Sequence, residues 1–376
     1  MKNLLVAQSG GPTSAINATL AGVLQGVRVS GKVDKVYGAK HGIEGVMKDN
    51  LVDLTEVVLS AKLLDTLTYT PSSALGTCRY KMKDWQEDES PYKKIIDTFR
   101  KYNVKYFIYI GGNDSMDTVN KLSEYCQLLH PEFVIVGAPK TIDNDLNLTD
   151  HSPGFGSAAK YIATTMSELA CDISSYDVPA VTIVEVMGRN AGWLTASAAL
   201  SRINGNSGAD LIYLCEKEFD KDRFLRDLRE KMAEKPGILV AVSEGIKDSN
   251  GMYISDHTSS GVVDIFGHKY IAGAARALEQ LVRREIGCKV RSIELNLMQR
   301  AAAHVASEQD IIESTTLGLK AFGCAMDGES GRMASIKRIS NDPYRVEFVS
   351  VPVSEVANHE KDVPLDWIMS YLTLRA

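Results

Sequence analysis

The chain has 376 residues, 44% hydrophobic and 24% charged, with a formal net charge of −6. That is an ordinary globular composition, with enough length for two domains or one large α/β unit, and its acidic total gives a nucleic-acid role no electrostatic support. No apolar run approaches a membrane span, and the one in the N-terminal MKNLLVAQSGG is too short for a signal peptide, so the expectation is a cytoplasmic protein without a membrane partner.

In chain order, Leu4–Ala7 reads as a strand, Ser9-Gly10-Gly11-Pro12 as a turn, and about Ala15–Val29 as a helix that Thr13 or Ser14 caps. Its apolar residues Ile16, Leu20, Val23, Leu24 and Val27 recur at helical spacing. A glycine turn before a helix start offers free N–H groups to an anion. This one fits neither the Walker A pattern nor GxGxxG, so a plain tight turn reads equally well. The charged stretch Lys81–Lys94 reads as a solvated loop or short helix. Strand Tyr106–Ile110 runs into Gly111-Gly112-Asn113-Asp114-Ser115 and a helix Ser115–Leu128. Strand Phe133–Ala138 runs into Pro139-Lys140-Thr141-Ile142-Asp143-Asn144-Asp145, and a helix Ser157–Cys171 follows.

Strand Ala180–Val186 leads to Met187-Gly188-Arg189-Asn190-Ala191-Gly192 and a small-residue helix from about Trp193 to Ser201. Strand Leu211–Leu214, helix Asp222–Glu234, strand Gly237–Val242 with its Ser243-Glu244-Gly245 end, helix Lys269–Ile286 and a strand near Val290–Asn296 complete the alternation. From about Ser335 the tail reads as a short strand pair and a closing helix near Leu365–Leu374. Strands alternating with helices predict parallel βαβ construction. The six cysteines are widely spaced with no CxxC pair, and read as buried, reduced thiols.

Two strand-end loops, one rich in glycine and one in carboxylates, point to a phosphate and metal site, because ligands of open α/β sheets sit beyond the carboxyl ends of the strands. Asp143 and Asp145 are two residues apart, hence on one side of an extended segment, with Lys140 just before them. Two such carboxylates repel unless a cation or a shared proton balances them. One can accept a proton from a substrate hydroxyl, and the other can help hold a metal or position the first. Lys140 can neutralise a transferring phosphoryl group, whose chemistry relies on positioning and charge stabilisation. A polar turn in which Asp and Asn satisfy backbone N–H groups reads equally well from this stretch alone.

SGGP, GGNDS, PKTIDND, VEVMGRNAGW and SEG occur in this order, and together they resemble the phosphofructokinase family over roughly residues 1 to 330. The resemblance implies two similar three-layer α/β/α domains with mainly parallel sheets. One, residues 1–150 with about 300–376, would hold the phosphoryl donor; the other, about 151–299, the sugar phosphate. It implies that Asp143 takes the proton from the sugar's C1 hydroxyl, with Thr141 and Asp145 lining the site. Met187, Gly188 and Arg189 would contact the sugar phosphate, Arg189 also lying near the transferred group, and Glu244 would bind sugar hydroxyls. Arg291 and Arg300 would hold the 6-phosphate, one of them from a neighbouring subunit, which implies a homodimer or homotetramer. Gly11, Arg79, Asp114 and Ser115 would sit at the donor, Asn113 at a magnesium ion.

Members that use ATP typically have glycine where Asp114 and Lys140 stand. The Asp114 carboxylate would crowd and repel a nucleotide's inner phosphate, whereas Lys140 offers a cation to compact pyrophosphate. The expected activity is therefore a reversible, magnesium-dependent transfer from pyrophosphate to fructose 6-phosphate. Three positions depart from the family pattern: Asn113 replaces an aspartate, Ala180 an arginine, and Leu297 with Ala301-Ala302 a His or Tyr and a glycine pair. Together they keep open another acceptor such as sedoheptulose 7-phosphate, and Asn113 keeps open an ATP donor; a non-catalytic sugar-phosphate-binding regulatory subunit is the alternative of a different class.

Overall fold

The computed structural model describes residues 2–205, 207–257 and 273–370. Its strands are β1 (Lys2–Gln8), β2 (Val33–Ala39), β3 (Leu51–Asp53), β4 (Val104–Gly111), β5 (Val134–Pro139), β6 (Ala180–Val186), β7 (Leu211–Tyr213), β8 (Gly237–Ser243), β9 (Lys289–Glu294), β10 (Arg332–Asn341) and β11 (Tyr344–Pro352). They divide between two compact units. One comprises residues 1–142, 146–157 and 300–360, the other 143–145, 158–299 and 361–376.

The first unit holds a seven-stranded sheet of order β11-β10-β5-β4-β1-β2-β3. Its middle is parallel; β2 with β3 and β10 with β11 are antiparallel at the two edges. The central strands read as continuous apolar runs because both faces are covered. Leu5, Phe107, Tyr109 and Ile135 pack on one face against helices Ser90–Lys101 and Asn113–Leu129. Leu4, Val6, Ile108 and Val136 pack on the other against helices Ile16–Ser30 and Glu308–Met326. This is a three-layer α/β/α unit. Helix Ile16–Ser30 is capped by Ala15 without a side-chain bond, rather than by Thr13 or Ser14; Thr13 Oγ1 instead accepts from the N–H groups of Ala15 and Ile16 and orders the turn before it. Within this unit His151 lies between Asp150 and Glu313, at 2.8 and 2.6 Å, and Arg338 also bonds Asp150, tying residues 150–151 to the last long helix and the terminal hairpin.

The second unit holds a four-stranded, all-parallel sheet of order β7-β8-β6-β9. Val181 and Ile183 of β6 and Ile238, Val240 and Val242 of β8 pack against helices Lys221–Glu234 and Ala274–Glu285. The predicted helix Lys269–Ile286 is described only from Ala274, and the closing helix as Leu365–Ser370; residues 269–272 and 371–374 lie outside the described residues. The segment from Lys361 packs with this unit rather than with the first, because Val363 is buried beside Leu214 and Trp193 donates to the Lys361 carbonyl.

All six cysteines are free, but only Cys78, Cys126 and Cys324 are buried. Cys171 lies exposed on helix Phe155–Ser174, and Cys215 and Cys288 are partly covered. No helix among the described residues is long and apolar enough to cross a membrane.

Candidate active site

In the first unit the β1 turn is built for close approach by cations. Gly10 has φ +76, and a Cβ there would stand 2.7 Å from Lys140 Nζ. A Cβ on Gly11 would stand 2.7 Å from an Arg300 guanidinium nitrogen. Two glycines therefore let a lysine and an arginine lie against one turn, where any side chain would displace them. Lys140 is buried, and its Nζ donates to the Gly11 carbonyl at 2.9 Å. Its backbone N–H donates to Gly111 O at 2.9 Å, which seats the residue beside the β4 turn. Thr77 Oγ1 donates to Gly10 O and Ser9 Oγ to Cys78 O, so the stretch leading to Arg79 is stitched to the same turn. Arg300 thus lies beside Gly11 and belongs to the unit that carries Lys140.

The β4 turn feeds helix Asn113–Leu129, with Asp114 exposed in its first turn and Ser115 buried. The Asn113 side chain ties this helix start to residues 358 and 359. Its Oδ1 accepts from Asn358 N–H at 2.7 Å and its Nδ2 donates to His359 O at 3.0 Å. Only an amide satisfies both, since an aspartate would turn a second acceptor toward the His359 carbonyl. The departure at position 113 therefore has a local cause. Among the described residues no group of three or more His, Cys, Asp and Glu side chains is placed to hold a metal.

In the second unit β6 and β8 are parallel neighbours, so their carboxyl ends present the Met187–Gly192 and Ser243–Gly245 turns side by side. Gly188 has φ +127, and a Cβ there would stand 2.4 Å from the Ala191 carbonyl, so this turn demands glycine. Its N–H donates to Glu244 Oε1 at 3.3 Å, and Ser243 Oγ donates to its carbonyl at 2.8 Å. Met187 N–H donates to Gln299 Oε1 at 3.2 Å.

Burial pushes the Glu244 carboxyl up to about 8; the charge of Asp143 adds to the rise, and Arg189 and the Gly188 N–H oppose it. Asp143, Arg189 and Glu244 therefore share one electrostatic neighbourhood. The folded carboxyl keeps its proton up to about pH 8, whereas its ordinary value is 4.5. Stability should therefore be fully present below about pH 4.5 and fall as pH rises to about 8. Glu244→Gln should remove that slope. Thermal unfolding of both proteins between about pH 5 and 8 measures it; identical slopes would contradict a raised Glu244.

The carboxylate pair is not arranged as an extended segment would place it. Asn144, between the two, is left-handed at φ 56, which breaks strand alternation. Thr141 is buried and bridges to Gly154. Asp145 is held by its backbone, its carbonyl accepting from Lys361 N–H at 2.8 Å.

Arg291 lies elsewhere. It sits opposite Thr182 on β9, five residues before Met187 along the neighbouring strand, which is about 16 Å at strand rise. There it flanks the Tyr176 ring together with Lys289.

Gln299, Glu216, Trp193 and Lys361 support these turns, and sequence reasoning assigned none of them a role. Gln299 is buried, and Glu216 Oε1 accepts from Gly192 N–H at 2.7 Å. Trp193 ends the VEVMGRNAGW motif, but its bond to residue 361, like the contacts of Gln299, Glu216 and Lys361, joins segments distant in sequence.

Residues 3–325 match the family described as Phosphofructokinase. A protein of Xanthomonas campestris named pyrophosphate–fructose 6-phosphate 1-phosphotransferase is 40% identical over 96% of this chain and 86% of its own length. A protein of the same name from Halomonas elongata is 37% identical over 97% and 87%. The crystal structure of a pyrophosphate-dependent phosphofructokinase from Nitrosospira multiformis superposes with a TM-score of 0.87 at 34% identity, covering 99% of this chain and 88% of that one.

Proposed function

This chain belongs to the phosphofructokinase family, and on that premise we propose that it moves a phosphoryl group from pyrophosphate to the C1 hydroxyl of fructose 6-phosphate, giving fructose 1,6-bisphosphate and phosphate. The observation that carries the donor assignment is the approach of Lys140 and Arg300 to the Gly10-Gly11 turn. Two cations against bare backbone suit a small, densely charged diphosphate, and the helix beginning at Asn113 adds its N-terminal dipole on the same unit.

Asp143 would take the hydroxyl proton as the oxygen attacks. Met187, Gly188, Arg189 and Glu244 would position the sugar phosphate, Thr141 and Asp145 would line the site, and Arg79, Asp114 and Ser115 would complete the donor pocket. A protonated Glu244 would donate to a sugar hydroxyl as well as accept. Arg291, about 16 Å along the strand from Met187, could reach a sugar only in a second copy, so the reading includes a homodimer or homotetramer. Both substrates are small cytoplasmic metabolites, which is where we place the reaction.

Magnesium fits this site as the partner of the diphosphate rather than as a resident ion. Mg²⁺ is commonly bound through one or two carboxylates plus substrate phosphates. Asp114 and the second lone pair of Asn113 Oδ1 would hold it, and it would neutralise charge on the donor.

The test is a coupled fructose 1,6-bisphosphate assay with magnesium and fructose 6-phosphate, supplied with pyrophosphate or ATP in parallel. The expected result is turnover with pyrophosphate and none with ATP. Turnover with ATP alone would overturn the donor assignment. Silence with both would direct the assay to other sugar phosphates such as sedoheptulose 7-phosphate, and then to a non-catalytic regulatory subunit.

A further inference from the structure

The second unit contains a contact set that binding or chemistry at its turns does not by itself require. Glu216, just beyond β7, turns one carboxylate oxygen, Oε1, toward two backbone donors: Gly192 N–H at 2.7 Å and Val363 N–H at 3.0 Å. A Cβ on Gly192 would stand 2.4 Å from the other oxygen, so glycine is what admits the carboxylate. Among the described residues no cation forms a salt bridge with Glu216.

Two residues before Val363, the backbone of Lys361 is held at both ends. Its N–H donates to the Asp145 carbonyl at 2.8 Å, and its carbonyl accepts from Trp193 Nε1 at 2.7 Å. Its Nζ makes a longer contact, 3.4 Å, to Asn144 Oδ1 and lies 5.4 Å from the centre of the Trp193 ring. Val363 is buried in a small cluster with Leu214, Trp193 and Ile212.

Ordinary packing of a chain end needs only the apolar part of this set. The polar part does something more specific. Three consecutive residues join the turn that carries Asp143 and Asp145 to the turn that carries Met187, Gly188 and Arg189. A carboxylate satisfied by backbone N–H groups spends its charge on orientation, and charge-assisted bonds of this kind are roughly twice as strong as neutral ones.

We infer that residues 361–363 form a brace between the carboxylate turn and the Met187–Gly192 turn, with Glu216 and Lys361 as positioning residues for the phosphoryl transfer. The inference rests on the proposed reaction for its kinetic consequence, but not for its structural one. Misplacing reacting groups by about 1 Å can cost about 10²-fold in rate. Glu216→Ala and Lys361→Met should therefore each lower kcat by about 10- to 100-fold. The KM for pyrophosphate should change by less than about twofold, because Lys140 and the Gly10-Gly11 turn lie in the other unit. Glu216→Gln keeps an acceptor oxygen and should restore most of the rate, as should Lys361→Arg.

The decisive measurement is a double-mutant cycle on the full chain, with amide hydrogen exchange followed in the same four proteins. Because both residues act through one brace, the double variant should be little slower than the worse single variant. Exchange should show the effect crossing the brace: Glu216→Ala accelerates amides of residues 143–146, and Lys361→Met accelerates those of 187–192. Multiplicative rate losses, or exchange changed only beside each mutation, would overturn the brace. So would a fall in melting temperature accompanied by a matching rise in the KM for pyrophosphate, which would mark general destabilisation. A wild-type chain that turns over no sugar phosphate would sink the proposed reaction, and the exchange experiment would still judge the brace.

Discussion

Asp143→Asn is expected to lower kcat by about 10³-fold, within the range that a positioned general base contributes. The amide keeps the size of the side chain and its place before left-handed Asn144, but cannot accept the C1 hydroxyl proton. The KM values for pyrophosphate and fructose 6-phosphate should stay within a few fold, because the loss falls on the transition state. Initial rates of fructose 1,6-bisphosphate formation measure this. Activity within tenfold of wild type would remove Asp143 as the base. The same variant carries a second consequence. The Asp143 charge helps keep the Glu244 carboxyl protonated, so Asp143→Asn should lower that carboxyl from about 8 toward its ordinary value.

Lys140→Met should lower kcat/KM for pyrophosphate by about 10²- to 10³-fold, the loss seen when one preorganised donor to developing charge is removed. Methionine keeps the length of the buried side chain and much of its packing beside Gly10, but loses both the charge and the bond to the Gly11 carbonyl. Arg300 remains against Gly11, so binding should be weakened rather than abolished. Rates at varied pyrophosphate, with the sugar phosphate saturating, separate the two effects. An unchanged kcat/KM would remove the lysine from the donor site.

Much of this was legible in the sequence because parallel strands announce themselves. The apolar runs at Tyr106–Ile110, Phe133–Ala138 and Ala180–Val186 became β4, β5 and β6 with boundaries moved by two residues or fewer, and each motif fell at a strand's carboxyl end. The helix over Glu308–Met326 was not announced, although it covers one face of the first sheet. Its small and polar residues, among them Ser314, Gly318 and Ala321, blur the helical period because neighbouring chain comes close.

At the site, local pattern identified residue types but not geometry. Asp143 and Asp145 read as a same-face pair until Asn144 took a left-handed conformation between them. What the Asn113 amide does besides was hidden, because its bonds to residues 358 and 359 join segments about 245 residues apart. Arg291 read as a contact to the 6-phosphate, but its place about 16 Å along the strand from Met187 is set by register, of which chain order carries no record.

The position of β9 at one end of the four-stranded sheet has a consequence for solubility. An edge strand offers a row of backbone donors and acceptors to any passing extended chain, and such edges seed aggregation when they are flat and apolar. Here exposed Lys289 and Arg291 alternate along that edge, and neither forms an ion pair among the described residues. A second β9 approaching in register would bring like charges together at both positions. The pair thus discourages this sheet from templating its own growth, a safeguard that serves the protein whether or not a substrate is bound.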